Sequence, residues 1–486
     1  MKRLAVFGWL LLAACDWEHS ALMNSIPVRP EKTPEKTIHV FLSLDGVAWS
    51  AAQEAKRQGA FSSFHLSKIV PMFPATSIAC WTRILHTQSI PGYEYTYFDL
   101  PSDKIEYSGV LGVLLHALPH HSPPAYYSVF DVYASEYLDA VWGYDTPHTG
   151  IGKTMDNLFF VLASRLETTH LFSAYILETD LLGHYEGKAA VVQKLHALSA
   201  RIEDFTRRHK NYNFVFTLFA DHGMDHVPKT SQNLIRLEPL LKEAGIHIAH
   251  SFQEGKASPF PWAIPVEHAR LTYASLHTMP GQIPAVSQRL SNHPSVDLIV
   301  ARGFQPQGAP DNLSWTDLWK NGLRVARIGY SPAENRYWLS NDMDMAALDI
   351  ALEPPTLPWQ SYRDEELFLA TLNRRYPDLF FRARTSLEAV SVEYPADILL
   401  SFSNQWLMLG FSFPFVSQNT GSAGSHGAMD LSGSQAALLT QASHVPPVIR
   451  SDDFLSFFPE FREWIAQKNL LKRTPFPPLR YEEIFP

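Results

Sequence analysis

The sequence predicts an α/β fold: a mostly parallel sheet sandwiched by helices, with an inserted α+β cap region. Three observations predict it. Apolar runs of strand length alternate with stretches of helical period, the pattern of a parallel sheet covered by its crossover helices. Three of those runs lead into an aspartate, at Asp45, Asp180 and Asp221. Between about residues 240 and 405 the alternation changes, and strand-like runs dominate.

The elements follow in order. "TIHVFLSLDG" (37–46) reads as a buried strand stopping at Asp45-Gly46. "FPATSIACWTRILHT" (73–87) reads as a turn opening a helix, with Thr76 or Ser77 near its N-terminus. Residues 92–150 are irregular, rich in aromatics and Pro. "TMDNLFFVLASRLE" (154–167) has helical period, and "HLFSAYILETD" (170–180) is a second apolar strand ending in an acid. "KAAVVQKLHALSARIEDFTRRH" (188–209) is an amphipathic helix, and "NFVFTLFADHGMDH" (213–226) is a third strand with its acid. "ARLTYASLHT", "SVDLIVARGF" and "LRVARIGYS" read as strands of the insertion, with helices at 281–292 and 363–375. The main fold is then expected to resume with "ADILLSFSN" (396–404). A Gly/Ser-rich loop, "GSAGSHGAMD" (421–430), holds His426, and a helix around 452–468 closes the sheet. The domain reading is a leader at 1–15, a tether at 16–37, a core at 38–240 and 395–486, and an inserted cap at 241–394.

In a parallel α/β sheet, ligands bind at the carboxyl ends of the strands. Three acids delivered to that edge would repel one another unless a cation sits among them. With 486 residues, 46% of them hydrophobic, the chain can bury a large core. A formal charge of −9 argues against a nucleic-acid-binding surface.

The N-terminus "MKRLAVFGWLLLAAC" has two basic residues, a short apolar run and small residues, the plan of a secretory leader rather than a membrane span. Its end, Leu12-Ala13-Ala14-Cys15, resembles the lipobox of bacterial lipoproteins. That resemblance implies a lipid anchor on Cys15 and a place on the periplasmic side of the cell envelope, with inner or outer membrane left open. Residues 16–37, with "RPEKTPEKT", read as a tether. The other cysteine of the chain, Cys80, is then left without an intramolecular partner.

"LDG", "PATS", "DLLGH", "DHG" and "GSHG" occur in the order found in the alkaline phosphatase superfamily, and the chain resembles its type I phosphodiesterase/nucleotide pyrophosphatase branch. The resemblance runs over roughly 38–230 and 395–450. It implies an alkaline phosphatase-like fold with two Zn²⁺ ions, other divalent metals being possible. One ion would be held by Asp45, Asp221 and His222 and would contact the nucleophile, Ser77. The other would be held by Asp180, His184 and His426. Three N/O ligands per ion with positions left open is the pattern of catalytic zinc. Each motif alone has a plain structural reading: a turn, a helix cap or a buried, hydrogen-bonded imidazole. Five in order outweigh those readings jointly.

The family places its nucleophile at a helix N-terminus three residues after a Pro. Counting from Pro74 gives Ser77, with Thr76 as neighbour and as alternative; otherwise Thr76 is the helix N-cap. Sulfatases of the superfamily require a Cys or Ser followed by x-Pro-x-Arg, which neither Ser77 nor Cys80 supplies. The phosphodiesterase branch carries an Asn about twenty residues after the nucleophile that holds a phosphoryl oxygen. Here "PGYEYTYFD" (91–99) has none, and Thr96 or a tyrosine could donate instead. Arg83 is a candidate phosphate clamp or a solvated helix arginine. Tyr93, Tyr95, Tyr97 and Phe98 could line a pocket, though packing is the plainer reading. His226 is a nearby group or a surface histidine.

The expected function is zinc-dependent hydrolysis of a small-molecule phosphate ester, a phosphodiester or nucleotide pyrophosphate, through a phosphoseryl or phosphothreonyl enzyme. A phosphomonoesterase or phosphotransferase on the same metals is the alternative. A non-catalytic lipoprotein that kept the fold is a third reading.

Overall fold

The computed structural model describes residues 36–106, 124–133, 153–268, 270–390, 392–408, 422–442, 444–472 and 476–485. The leader with Cys15 and most of the tether lie outside them. No helix among the described residues is long and apolar enough to cross a membrane.

The central sheet has seven strands, in the order Val448–Arg450, His65–Val70, Ala436–Thr440, Tyr212–Ala220, Lys36–Leu44, Leu171–Ile176, Val132–Tyr133. Every pairing is parallel except the two made by Ala436–Thr440. The expected mostly parallel sheet is therefore present. Three adjacent strands, Tyr212–Ala220, Lys36–Leu44 and Leu171–Ile176, are the three apolar runs that lead to acids. Lys36–Leu44 is central because it is buried on both faces; Ile38, Val40, Phe41, Leu42 and Leu44 are all at most 1% exposed.

Aromatic packing fixes the helices to the sheet. Phe41 stacks on Phe461 with centroids 4.2 Å apart, and Phe219 stacks on Phe454 at 4.4 Å. These contacts seat helices Phe454–Phe457 and Pro459–Gln467, into which the closing helix expected at 452–468 is split ahead of Pro459. On the same side Trp81, from helix Ser77–Ile84, meets Tyr175 and Phe219 edge-on. Helices Trp49–Arg57 and Lys188–Arg208 pack against each other.

A second, nine-stranded sheet is antiparallel apart from one edge pair, Trp262–Val266 with His247–Ile248. It contains the three strands expected in the insertion, at Tyr273–His277, Val296–Arg302 and Leu323–Ser331. It also contains Ile398–Phe402, paired with both Tyr273–His277 and Val296–Arg302. That strand was expected to resume the main sheet and does not. A fully buried apolar run looks the same in either sheet, so its partners cannot be read from its composition. One continuous apolar core joins residues of the two sheets, including Val40 and Leu42 with Leu298 and Val300.

Candidate active site

The register of the central sheet sets the site. Leu44 lies opposite Ala220 on one side and Ile176 on the other. The next residues, Asp45 and Asp221, therefore leave the carboxyl edge side by side. Gly46, at φ 66°, donates its N–H to Asp221 Oδ1 at 3.3 Å. Asp180 arrives differently from expectation. The strand Leu171–Ile176 ends four residues earlier, and Asp180 sits in the first turn of helix Glu178–Tyr185. His184 lies one turn on, on the same helix face. Thr179 Oγ1 donates to Asp45 O at 2.6 Å and ties that helix to the first strand.

Two acid–histidine clusters result: Asp45 with Asp221 and His222, and Asp180 with His184 and His426. All six residues are buried, and within each cluster the potential ligand atoms lie within 4.8 Å of one another. The three imidazoles share one arrangement. Each Nδ1 bonds a backbone carbonyl: His184 to Gly424 O (2.9 Å), His222 to Gly223 O (2.9 Å) and His426 to Ala75 O (2.8 Å). With Nδ1–H donating, each Nε2 is turned toward its cluster, the orientation that metal-binding histidines adopt.

The electrostatics agree with a cation. Burial pushes His184 down to about 3 and His426 well below its ordinary value, so both are neutral, the ligating form. Burial alone would also lower His222, but the carboxylates of Asp221 and Asp45 override it and raise it to about 10. Burial raises Asp221. Asp221 Oδ2 is shut off from solvent and has no hydrogen-bond partner among the described residues. A cluster in which Asp221 resists ionisation, and in which His222 is held charged by its carboxylate neighbours, is short of positive charge. The hard oxygen and imidazole donors fit a divalent ion such as zinc.

Ser77 and Thr76 are separated by geometry. Ser77 Oγ lies 3.1 Å from Asp45 Oδ1 and 3.0 Å from His222 Nε2, at the first residue of helix Ser77–Ile84. Thr76 is fully buried and donates to Tyr93 O at 2.8 Å, so its hydroxyl does not make the expected N-cap bond. Loops from distant parts of the chain hold the rest. Asp225 accepts from Ser425 N at 3.0 Å and donates its own N–H to Ser425 O at 2.9 Å, locking the loop after His222 to the loop carrying His426. Gly183, between Asp180 and His184, lets Met224 approach; a Cβ there would sit 2.3 Å from Met224 Sδ.

Three residues near the site were not legible in the sequence. Tyr175 OH donates to Asp45 Oδ2. Glu94, half-buried, is hydrogen-bonded to Thr76 and feels the charges of His222, Asp45 and Asp180. Desolvation pushes its carboxyl up to about 8. Arg270 lies over the ring of Tyr185, the residue after His184. The only available hint was that Glu94 falls in the stretch where an Asn was sought.

Other candidates are structural. Arg83 is neither a phosphate clamp nor solvated: it is buried, ion-paired to Asp452, and packed on the Phe476 ring. Tyr93 bonds Ser386 O at 2.6 Å, and Phe98 packs on Phe252 and His277, as the packing reading requires. His226 is half-buried rather than on the surface. Cys80 is a buried free thiol.

The comparisons with known proteins bear on this geometry. Residues 91–305 match the family model of type I phosphodiesterase/nucleotide pyrophosphatase. That stretch, a little under half of the chain, is similar to this family. The match indicates a phosphoester hydrolase, and the matched family is metal-dependent, in keeping with the two acid–histidine clusters. The match spans Asp180, His184, Asp221 and His222, and it runs on into 241–305, where the sequence motifs had shown no resemblance. None of the curated proteins matches. Among solved structures, murine ectonucleotide pyrophosphatase/phosphodiesterase 5 is similar at 13% identity and TM-score 0.47, over 92% of this chain and 99% of that one. An inactive variant of the murine protein in complex with AMP gives 12% identity and TM-score 0.45, over 93% of this chain and 99% of that one. The human protein gives 12% and 0.44, over 92% and 98%.

Proposed function

We propose that this chain hydrolyses phosphodiesters or nucleotide pyrophosphates through a phosphoseryl enzyme. Two Zn²⁺ ions would be held by Asp45, Asp221 and His222 and by Asp180, His184 and His426. The observation that carries the reading is the position of Ser77 Oγ, within hydrogen-bond reach of one member acid and one member histidine of the first cluster. Bound there, the ions supply Lewis-acid stabilisation of negative charge on the attacking and leaving oxygens.

The chain's own groups do the remainder. Asp45 Oδ1 accepts the Ser77 hydroxyl hydrogen bond and orients Oγ. The helix N-terminus at Ser77 favours negative charge on that oxygen. As its proton leaves to solvent, Oγ attacks phosphorus in line, the bond to the leaving oxygen breaks with the electron pair departing on that oxygen, and a phosphoseryl ester forms. Water then attacks the same phosphorus, breaks the Ser77–phosphorus bond and regenerates the hydroxyl. Glu94 stands in the stretch where the Asn was sought, and its carboxyl in the protonated form would give a phosphoryl oxygen the hydrogen bond of the missing amide. Catalysis is mainly positioning and electrostatics, as phosphoryl transfer requires.

The leader reading completes the proposal: a lipid on Cys15 tethers the enzyme to the cell envelope, facing the periplasm. Labelling with a radioactive fatty acid tests this, and Cys15→Ser should abolish incorporation.

The test of function is an assay of the full chain in detergent on bis-aryl and mono-aryl phosphates, with and without Zn²⁺. Faster zinc-dependent turnover of the diester supports the reading. Preference for the monoester would replace it with a phosphomonoesterase or phosphotransferase. Absence of both turnover and bound metal would leave a non-catalytic lipoprotein.

A further inference from the structure

Arg270 is held in place by the strand Leu407–Met408 and by the loop that carries His426. Its N–H donates to Met408 O at 2.9 Å, and its carbonyl accepts from Ser425 Oγ at 2.7 Å. Its backbone is left-handed, at φ 61°, a conformation that is strained for a residue with a Cβ. The guanidinium lies 4.8 Å from the centroid of the Tyr185 ring. Arg270 is thus bonded to the residue before His426, and its head lies over the residue after His184. Both histidines belong to the second cluster.

The head group is unspent. Nη1 is shut off from solvent, and the side chain has neither a hydrogen bond nor an ion pair among the described residues. The other cations around the site are occupied. Lys229 is bonded to both oxygens of Asp225 at 2.5 Å, and Arg83 is paired with Asp452. An occluded guanidinium N–H without an acceptor is costly, so a fold that keeps one over the residue after His184 is short of an acceptor there. A guanidinium presents a planar fork of donors that matches two oxygens of a phosphate. The scissile phosphoryl group is already accounted for by Ser77 and the clusters. The acceptor that fits Arg270 is therefore a second anion on the same substrate.

We propose that Arg270 is a specificity-determining residue that binds a second phosphate adjoining the scissile one, and so favours pyrophosphate-type substrates over simple diesters. The inference rests on the reading of the site as a phosphoester hydrolase. It assigns to the segment after residue 241 a direct part in substrate choice.

The experiment uses the full chain and its Arg270→Gln and Arg270→Lys variants. Two quantities are measured: kcat/KM for a nucleoside triphosphate relative to a bis-aryl phosphate, and the affinity for inorganic pyrophosphate by calorimetry. Arg270→Gln should lower the substrate ratio by about thirtyfold, mostly through KM, and weaken pyrophosphate binding to a similar degree. Arg270→Lys should recover part of both, since it keeps the charge and loses the fork. An unchanged ratio together with unchanged pyrophosphate affinity would overturn the inference. If the unmodified chain turned over neither ester, the hydrolase reading would fail instead. The pyrophosphate titration would then still decide: weaker binding in Arg270→Gln supports the anion site, and equal binding removes it. Should the Gln variant not fold, the Lys variant alone decides by the same two readouts.

Discussion

His222 and His426 stack face to face, with ring centroids 3.8 Å apart and planes 18° from parallel. Each belongs to a different acid–histidine cluster, so the stack sets the separation of the two. His426 is in turn fixed by its Nδ1 bond to Ala75 O, in the turn that delivers Ser77. The two candidate metal centres and the candidate nucleophile are thus one packed unit.

Ser77→Ala should lower kcat on a diester by about a thousandfold or more, since it removes the hydroxyl that bonds both Asp45 and His222. Thr76→Val should instead act on stability, by about 1 kcal/mol, through loss of its bond to Tyr93 O. Steady-state kinetics and thermal melts of the pair separate the two. Comparable kcat losses would mean that the nucleophile is not assigned by this geometry.

Glu94→Ala should reduce diester kcat/KM about tenfold, while Glu94→Gln should retain most of it, because an amide also donates. Kinetics of the two variants side by side check this. Equal losses in both would show that the carboxylic acid itself is required, and no loss in either would remove Glu94 from the site.

Gly46 combines a positive φ with contact to the second cluster. A Cβ there would sit 2.5 Å from Asp180 Oδ1. Gly46→Ala should destabilise the fold by about 1–3 kcal/mol from backbone strain and should also weaken metal binding at the Asp180 cluster. Chemical denaturation and metal titration would register the two effects. Wild-type metal affinity in a folded variant would argue against the packing of Gly46 on Asp180.

Asp453 supplies a pH dependence remote from the site. It is buried, and desolvation pushes its carboxyl up to about 7, although Arg450 and the Tyr481 hydroxyl, 2.8 Å away, favour the anion. Its folded pKa lies above the unfolded value, so the folded chain binds the extra proton between the two. Stability from this group therefore falls as pH rises from about 4 to 7, by at most about 1.4 kcal/mol per unit. Asp453→Asn should flatten the decline of Tm over that range. An unchanged pH profile in the variant would show that Asp453 is ionised in the folded state.

The central sheet was legible because its strands are apolar on both faces and stop at acids. Burial dictates the first feature, and the needs of a cation site dictate the second. Five of the six cluster residues could be placed at a strand end, helix turn or loop by local pattern. Asp180 could not be placed correctly, because "YILETD" hides the change from strand to helix two residues before the acid. The strand Ile398–Phe402 was misplaced because sheet membership depends on partners far along the chain. Tyr175, Glu94 and Arg270 stayed invisible for the same reason. Each acquires its meaning from a residue distant in sequence: Asp45, Thr76 and Tyr185.

The most direct test of the account is zinc stoichiometry, measured by mass spectrometry of the full chain and of Asp221→Ala and Asp180→Ala. The account predicts about two zinc per chain in the unmodified protein, and about one in each folded variant, with turnover lost in both. One metal or none in the unmodified protein, or full activity in either variant, would contradict it.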